Sequence, residues 1–193
     1  MNQRSPQRDD KPFDPRDEII EHLPSLRAFA MSLTRNPSAA DDLVHDTIVK
    51  AWSKFNLYKP GTNLRAWLLT ILRNTYYSGR RKQAREVSDT DGAMTERLAS
   101  KPDHDGRLAL ADLASAFARL PAEQREVLVL VGAMGFSIEE AAQTCGCAPG
   151  TVKSRANRGR RALADLLGLN EGEGMDLTEN TTLAVISAQA VAG

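Results

Sequence analysis

Residues 87–106 interrupt a chain whose other long segments carry the three- and four-residue spacing of amphipathic helices. This stretch, VSDTDGAMTERLASKPDHDG, has no periodicity and is rich in small, acidic and helix-breaking residues, which is typical of a linker. No segment alternates for long with the period of two that marks a strand. The sequence therefore predicts an all-α protein of two small helical domains, residues 17–86 and 107–170, joined by a flexible linker at residues 87–106. Neither domain is expected to hold a deep ligand pocket.

The two ends of the chain differ from the helical halves. Residues 1–16 are polar and contain proline, and we expect this N-terminus to be disordered. Residues 171–193 carry four acidic side chains and end in the small apolar run TTLAVISAQAVAG. This acidic tail is predicted to be disordered as well, and an additional partner-binding segment is the alternative.

Several classes of protein are excluded by composition. No apolar run approaches the roughly 20 residues of a membrane span, and the N-terminus has no apolar secretory segment. The spacing of Cys145 and Cys147, with one residue between them, disfavours a mutual disulfide, and His22, His45 and His104 are far away in sequence. No nucleophile–base pair or phosphate loop occurs. We therefore expect a cytoplasmic protein that is not an enzyme, binds no metal, cofactor or small molecule, and is a monomer when free.

The formal net charge of zero hides a segregated distribution. Residues 1–86 carry a net charge of +5 and residues 107–170 a net charge of +2, whereas the linker and the tail are acidic. Each half also contains a purely basic window: Arg73, Arg80, Arg81, Lys82 and Arg85 in the first, and Lys153, Arg155, Arg158, Arg160 and Arg161 in the second. Two separated basic patches favour a polyanion held at two places, and solvated helix faces are the alternative.

The strongest local motif covers residues 137–163. Ser137 and Glu140 form a capping box that begins a short helix, and Gly146 ends it. Pro149 suits the first turn of the next helix, whose outer face is polar and basic. The arrangement predicts a helix-turn-helix whose second helix enters the major groove of DNA. The side chains expected to face the DNA are Thr151, Lys153, Ser154, Arg155 and Arg158.

The first half is predicted to contain three helices. The buried face of the first, from Asp17, would carry Ile19, Ile20, Leu23, Leu26, Ala30 and Leu33. The second would bury Val44, Ile48, Ala51, Trp52 and Phe55. Asp41, Asp42 and Asp46 lie in the first turns of this second helix. Acids suit a helix N-terminus, but these residues also predict an exposed acidic patch that could bind a basic protein surface.

The third helix combines apolar, aromatic and basic residues. Trp67 lies on its apolar stripe and is assigned to the core. Tyr76 and Tyr77 stand near Arg73 and Arg80, a setting in which stacking on nucleic-acid bases and plain packing are both open.

Four segments, in this order, resemble the extracytoplasmic-function sigma factors of bacterial RNA polymerase: ADDLVHDTIVKAW, NLRAWLLTILRNTYYSGRRK, LPAEQREVLVLVGAMGFSIEEAA and GTVKSRANRGRRAL. The resemblance runs from about Asp17 to Leu167. The segments KPDHDGRL and DPRDEIIEHLPSLRAFA are similar to the alphaproteobacterial general-stress-response group of these factors.

The resemblance implies a sigma-two domain and a sigma-four domain. In sigma-two, Asp41, Asp42 and Asp46 would dock on the clamp helices of core RNA polymerase. The turn Tyr58–Asn63 and a helix start near Asn74 would hold an extruded base of the minus-ten element. Tyr77 adds a stacking candidate there, and the phosphate contacts would come from Arg73, Arg80, Arg81 and Lys82. Sigma-four would read the minus-thirty-five element through the five outward residues of the helix-turn-helix.

The resemblance also implies control by a soluble anti-sigma factor, which we expect to engage apolar helix faces of both domains. Two positions depart from the family pattern. Ala148 stands where many members carry Ser or Thr as a helix cap, and His45 stands where Gln or Glu is common. Two rival functions remain: a helix-turn-helix regulator acting without core polymerase, and a sigma-like mimic that only binds an anti-sigma factor.

Overall fold

A computed structural model of the chain describes residues 17–88 and 105–168. The elements, in chain order, are a 3-10 turn (Asp17–His22), α1 (Leu23–Thr34), α2 (Pro37–Ser53), a 3-10 turn (Phe55–Leu57), α3 (Leu64–Ser88), α4 (Asp105–Arg119), α5 (Ala122–Leu128), a π turn (Val129–Ala133), α6 (Ile138–Cys145) and α7 (Pro149–Leu167). No strand occurs within these two ranges, so the all-α prediction is confirmed. The predicted N-terminal segment 1–16, the acidic tail 171–193 and residues 89–104 of the predicted linker lie outside the described residues.

The first domain is a bundle of α1, α2 and α3. Asn36 caps α2, because its Oδ1 accepts a hydrogen bond from the Ala39 backbone N–H at 3.0 Å and Pro37 follows in the first turn. Asn63 caps α3 in the same way, with its Oδ1 3.0 Å from the Ala66 nitrogen. The largest fully buried side chains of this bundle are Leu26, Phe29, Leu33, Leu68, Leu69 and Leu72.

The prediction that Ile20 and Trp52 belong to the core of this bundle is wrong. Trp52 is 56% exposed and Ile20 is 70% exposed. The buried side of α2 contains Ala40, Leu43, Val44, Thr47 and Ala51, and a residue directly after Ala51 is rotated about 100° away from that side. Ile20 lies in a 3-10 turn, which has about three residues per turn, so the α-helical spacing did not apply to it.

The second domain contains the predicted helix-turn-helix. Both hydrogen bonds of the capping box are present, since the Glu140 N–H donates to Ser137 Oγ at 3.1 Å and the Ser137 N–H donates to Glu140 Oε2 at 2.9 Å. Gly146 ends α6 in the left-handed conformation with φ of 63°, as predicted. Gly159 lets α7 approach α5 closely, because a Cβ there would lie 2.9 Å from Leu128 Cδ1.

The two domains pack against each other and share one hydrophobic cluster. Helix α1 contacts α5, and α3 contacts α6. The guanidinium of Arg125 in α5 donates to the Ser32 carbonyl oxygen of the first domain at 2.8 Å, and Arg35 of the first domain donates to the Ala118 carbonyl oxygen at 3.1 Å. Arg65 reaches across as well, donating to the Met134 carbonyl oxygen at 2.7 Å. The structure therefore describes a closed arrangement of the two domains.

Candidate nucleic-acid and polymerase interfaces

Helix α7 presents most of its predicted DNA-reading residues to solvent. Lys153, Ser154 and Arg158 are exposed, and Thr151 is half-buried. The opposite side of the helix is anchored by the buried residues Val152, Ala156, Gly159 and Leu163. The first turns of α7 thus form a polar and basic surface on a firmly packed helix, which is what reading the major groove requires.

The two arginines on this surface are held differently. Arg158 lies along α7, with its Nε 3.3 Å from the Ser154 carbonyl oxygen and its Nη2 3.3 Å from Ser154 Oγ. Arg155 points partly back toward its own domain, because its Nη2 lies 3.3 Å from Oε2 of Glu123 at the start of α5. The Glu123 side chain is well exposed, so this ion pair is weak and can exchange for another anion.

The far end of α3 is also basic and open to solvent. Arg80, Arg81 and Lys82 are all exposed, as is Asn74 one to two turns earlier. Helix α3 runs without interruption from Leu64 to Ser88, so the expected helix start near Asn74 is wrong. No glycine or proline occurs between Leu64 and Asn74 that would break the helix. The helix therefore begins directly after the Asn63 cap.

Arg73 and Tyr77 lie at the junction of the two domains, on the side of α3 that faces α5 and α6. The Arg73 Nε donates to one oxygen of Glu126, and the Tyr77 hydroxyl donates to the other at 3.1 Å. The Arg73 guanidinium also lies 4.7 Å from the centre of the Tyr77 ring. Together with Cys145 of α6, these residues form what we call the Glu126 cluster: Arg73, Tyr77, Glu126 and Cys145.

Burial dominates the electrostatics of the Glu126 cluster. Glu126 is fully buried, and burial raises the pKa of its carboxyl while the charge and hydrogen bond of Arg73 act in the opposite direction. Burial, followed by the nearby Glu126 carboxylate, raises the pKa of the Tyr77 hydroxyl above its usual value, so Tyr77 acts as a neutral donor. Burial likewise raises the pKa of the Cys145 thiol, which fits its predicted place in the helix core.

The turn before α3 is shaped by aromatic packing. Tyr58 is buried against Phe55 and Trp67, with ring centres 5.5 and 5.4 Å apart, and its hydroxyl donates to the Thr62 carbonyl oxygen at 2.7 Å. Trp67 packs against the hydrophobic core, as predicted. The turn is exposed from Lys59 to Asn63 and includes Gly61 with φ of 84°. Tyr58 therefore supports the turn from below.

The acidic residues of α2 fall into two groups. Asp41 pairs with Arg27 of α1, with Oδ1 2.7 Å from Arg27 Nε. Asp42 and Asp46 are exposed, one helical turn apart. The exposed apolar side chains Val49 and Trp52 follow on the next turns of the same helix. The sequence analysis predicts the exposed acids but not these apolar neighbours. Their spacing of three and six residues from Asp46 places them on the same side of the helix, and this spacing could have indicated their exposure.

Comparison with known families decides the identity. The model of sigma-70 region 2 matches residues 19–86, and that of sigma-70 region 4 matches residues 110–163. The ECF RNA polymerase sigma factor EcfG of Rhodopseudomonas palustris strain TIE-1 is 48% identical over 171 residues, which cover 89% of this chain and 94% of that protein. The chain belongs to the ECF sigma factors of RNA polymerase.

Solved sigma factor structures agree with this assignment. The sigma factor RpoE in complex with the anti-sigma factor NepR from Bartonella quintana matches with a TM-score of 0.73 and 49% identity, covering 82% of this chain and 99% of that one. The structure of CnrH in complex with the cytosolic domain of CnrY matches with a TM-score of 0.54 and 29% identity, over 79% of this chain and 86% of that one. The first of these relatives is bound to the anti-sigma factor NepR, and the second is bound to the cytosolic domain of CnrY.

The surfaces described above can now be read as those of a sigma factor. Sigma factors bind core RNA polymerase and promoter DNA, so a chain of this family carries surfaces for both partners. Among the described residues, no group of three potential metal ligands occurs, and none of the helices is long and apolar enough to cross a membrane.

Proposed function

We propose that this sigma factor recognises the minus-thirty-five element with the outward face of α7 and the minus-ten element with α3 and the preceding turn. The observation that carries the proposal is the placement of Lys153, Ser154 and Arg158 on the exposed side of a helix whose other side is fully buried. A helix fixed in this way can present the same side chains to successive base edges. Thr151 and Arg155 complete this surface at its two margins.

In the first domain, the proposed promoter contacts divide by position along α3. Arg80, Arg81 and Lys82 supply backbone phosphate contacts from the exposed end of the helix. The exposed turn Lys59–Thr62, held by Tyr58 and Asn63, lies where an extruded base can be received. Arg73, Asn74 and Tyr77 lie between these two regions: Asn74 is exposed, whereas Arg73 and Tyr77 are half-buried against the second domain in the closed structure.

Core RNA polymerase is proposed to bind the exposed face of α2. Asp42 and Asp46 supply negative charge, and Val49 and Trp52 supply apolar area beside it. Asp41 adds negative charge at the start of α2 and forms an exposed ion pair with Arg27 of α1. Charged and apolar groups side by side are typical of a surface that binds a protein specifically.

We further propose that the protein is cytoplasmic, has no enzymatic activity of its own and acts in a general stress response under a soluble anti-sigma factor. The support is the close relation to EcfG and to a sigma factor solved with the anti-sigma factor NepR. The sigma-two part is assigned to residues 17–86, the linker to 87–106 and the sigma-four part to 107–170. Helices α3 and α4 extend two residues into that linker from either side.

The direct test is run-off transcription with purified core polymerase from a promoter of the matching group. The wild-type chain is expected to produce a transcript, and adding a NepR-type inhibitor is expected to remove it. A regulator that acts without core polymerase would bind the promoter but give no transcript with it. A pure mimic would bind the inhibitor and give neither promoter binding nor transcript.

A further inference from the structure

Both oxygens of the Glu126 carboxylate are bound by groups from the opposite domain. Arg73 and Tyr77 of α3 each donate one hydrogen bond to it, and the Arg73 guanidinium stacks on the Tyr77 ring. Glu126 itself lies on α5 of the second domain and has no exposed surface. A carboxylate held by an arginine and a neutral hydroxyl offers these groups the contacts that a DNA phosphate would offer them.

The same helix face is covered further along. Arg65, near the start of α3, donates to the Met134 carbonyl oxygen at 2.7 Å and lies 5.0 Å from the centre of the Phe136 ring. Asn63 and Arg65 also contribute, after the larger effect of Ser137, to lowering the pKa of the Glu140 carboxyl. The second domain therefore covers the side of α3 that holds Arg65, Arg73 and Tyr77, whereas Asn74 and the later part of the helix from Ser78 to Arg85 are exposed.

We propose that Glu126 competes with DNA for Arg73 and Tyr77. In the closed chain its carboxylate binds both side chains, and it releases them only when the two domains separate. This inference rests on the proposed promoter role of α3. It assigns to Glu126 a function that none of the DNA-reading or polymerase-binding residues has. The free sigma factor is accordingly in an equilibrium between a closed form that masks α3 and an open form that exposes it.

Physical reasoning predicts how this equilibrium responds to substitution. Removing one partner of a buried ion pair leaves the other charge buried without its partner, which destabilises the closed form strongly. In the open form both groups are solvated, so the same substitution changes little there. Either Glu126→Gln or Arg73→Gln should therefore open the chain. Only Glu126→Gln, however, leaves Arg73 available to DNA.

The experiment measures two quantities on the full-length chain and three variants, E126Q, R73Q and E139Q. The radius of gyration from small-angle X-ray scattering reports domain separation. The dissociation constant for a labelled, mixed-sequence single-stranded DNA reports the accessibility of α3, because phosphate and stacking contacts tolerate any sequence. Glu139 is an exposed acid of α6, so E139Q removes the same charge from the same domain without touching the Glu126 cluster.

We expect a larger radius of gyration for E126Q and for R73Q, and a wild-type value for E139Q. DNA should bind E126Q about tenfold more tightly than the wild type if the wild type is open about a tenth of the time. R73Q should show no such gain. Y77F, which removes only the hydroxyl, should open the chain in part and serves as a further variant from the first domain.

Three results would overturn the proposal. A wild-type radius of gyration for both E126Q and R73Q would show that the cluster does not hold the domains together. An equal gain in DNA affinity for both variants would show that Arg73 is not what Glu126 masks. A larger radius of gyration for E126Q without any gain in DNA affinity would show that Glu126 does not compete with DNA. Run-off transcription with R73Q would then test the promoter role of Arg73 separately.

Discussion

Helices α3 and α7 carry similar basic windows, but the closed structure leaves the α7 window open and covers the Arg73 part of the α3 window. The outward face of α7 is open to solvent from Lys153 to Arg158. The face of α3 that holds Arg73 and Tyr77 is turned toward the second domain and bound to Glu126. The difference shows that a run of basic residues indicates a polyanion partner but does not reveal whether that partner can reach it. In this arrangement one proposed promoter-binding surface is open to solvent, and part of the other is occupied by Glu126.

The largest expected effect is on the affinity for core polymerase. It concerns a third surface, the exposed face of α2, which is accessible in the closed structure. Replacing Asp42 and Asp46 together by Lys should reduce affinity for core polymerase by about 100-fold or more, since opposed like charges cost several kcal/mol at an interface. Pull-down and competition binding with core polymerase measure this. The helical content, followed by circular dichroism, should be unchanged because both side chains are exposed.

A matched control is the pair Glu18→Lys and Glu21→Lys, which changes the charge of the same domain by the same amount on a different element. This control should retain near wild-type affinity for the polymerase. An equal loss in both double variants would mean that the overall charge of the domain matters and the α2 face does not.

The next prediction tests whether the exposed side chains of α7 contact promoter DNA. Arg158→Ala should weaken specific promoter binding by about 1–3 kcal/mol if the side chain reaches a base. Arg155→Ala should weaken it less, because Arg155 is partly engaged with Glu123 at 3.3 Å in the free protein. Binding of promoter and mixed-sequence duplexes over a range of salt concentrations separates base contacts from phosphate contacts.

For this pair, the informative control is Glu123→Gln, which releases Arg155 without removing it. This variant should bind DNA somewhat more tightly than the wild type. A larger loss for R155A than for R158A would reverse the proposed order of the two arginines.

The sequence predicted the helix-turn-helix almost completely. Its signals are local: a capping box at Ser137 and Glu140, a left-handed glycine at Gly146 and a proline at the next helix start. Each acts within one turn of helix, so no knowledge of the remaining chain is needed.

The closed arrangement could not be predicted in the same way. Glu126 is separated from Arg73 by 53 positions, and no local pattern distinguishes an acid that will be fully buried from one that will face water. The exposure of Trp52 was missed for a related reason. An aromatic next to a small buried residue, Ala51, fits the apolar stripe by composition, but the packing of α2 on α1 and α3 fixes which side is buried.

A smaller effect is expected on stability when one glycine in each of the helices α7 and α3 is replaced by Ala. Gly159→Ala in α7 would place a Cβ 2.9 Å from Leu128 Cδ1 and 3.3 Å from Gln124 Cβ. Overpacking of this kind costs about 1–3 kcal/mol, and the better helix propensity of Ala offsets about 1 kcal/mol of it. Gly79→Ala in α3 has no atom within 4 Å of its Cβ and should be neutral or stabilising. Urea unfolding of the two variants measures the contrast, and equal stability would show that α7 can move away from α5 without loss.

The smallest expected effects compare the caps of the two helices of the helix-turn-helix. Ser137 caps α6 with a side-chain hydrogen bond, whereas Ala148 precedes α7 without one. Ser137→Ala should therefore lower the free energy of unfolding by about 1 kcal/mol, and Ala148→Ser should raise it by a similar amount or less. Thermal and urea unfolding at neutral pH are sufficient to measure both.

The two caps should also differ in their dependence on pH. The hydrogen bonds from Ser137 hold the pKa of Glu140 below its ordinary value of 4.5. A lowered pKa in the folded state means that the carboxylate stabilises the fold above pH 4.5, and that this contribution is lost as the pH falls through the folded-state pKa. The cost of Ser137→Ala should shrink over that acidic range, because the Ser137 side chain itself helps to lower the pKa of Glu140 and this part of its contribution is lost once the carboxyl is protonated. The gain from Ala148→Ser involves no carboxylate and should stay constant, so a parallel decline in both would assign the pH dependence to a group other than Glu140.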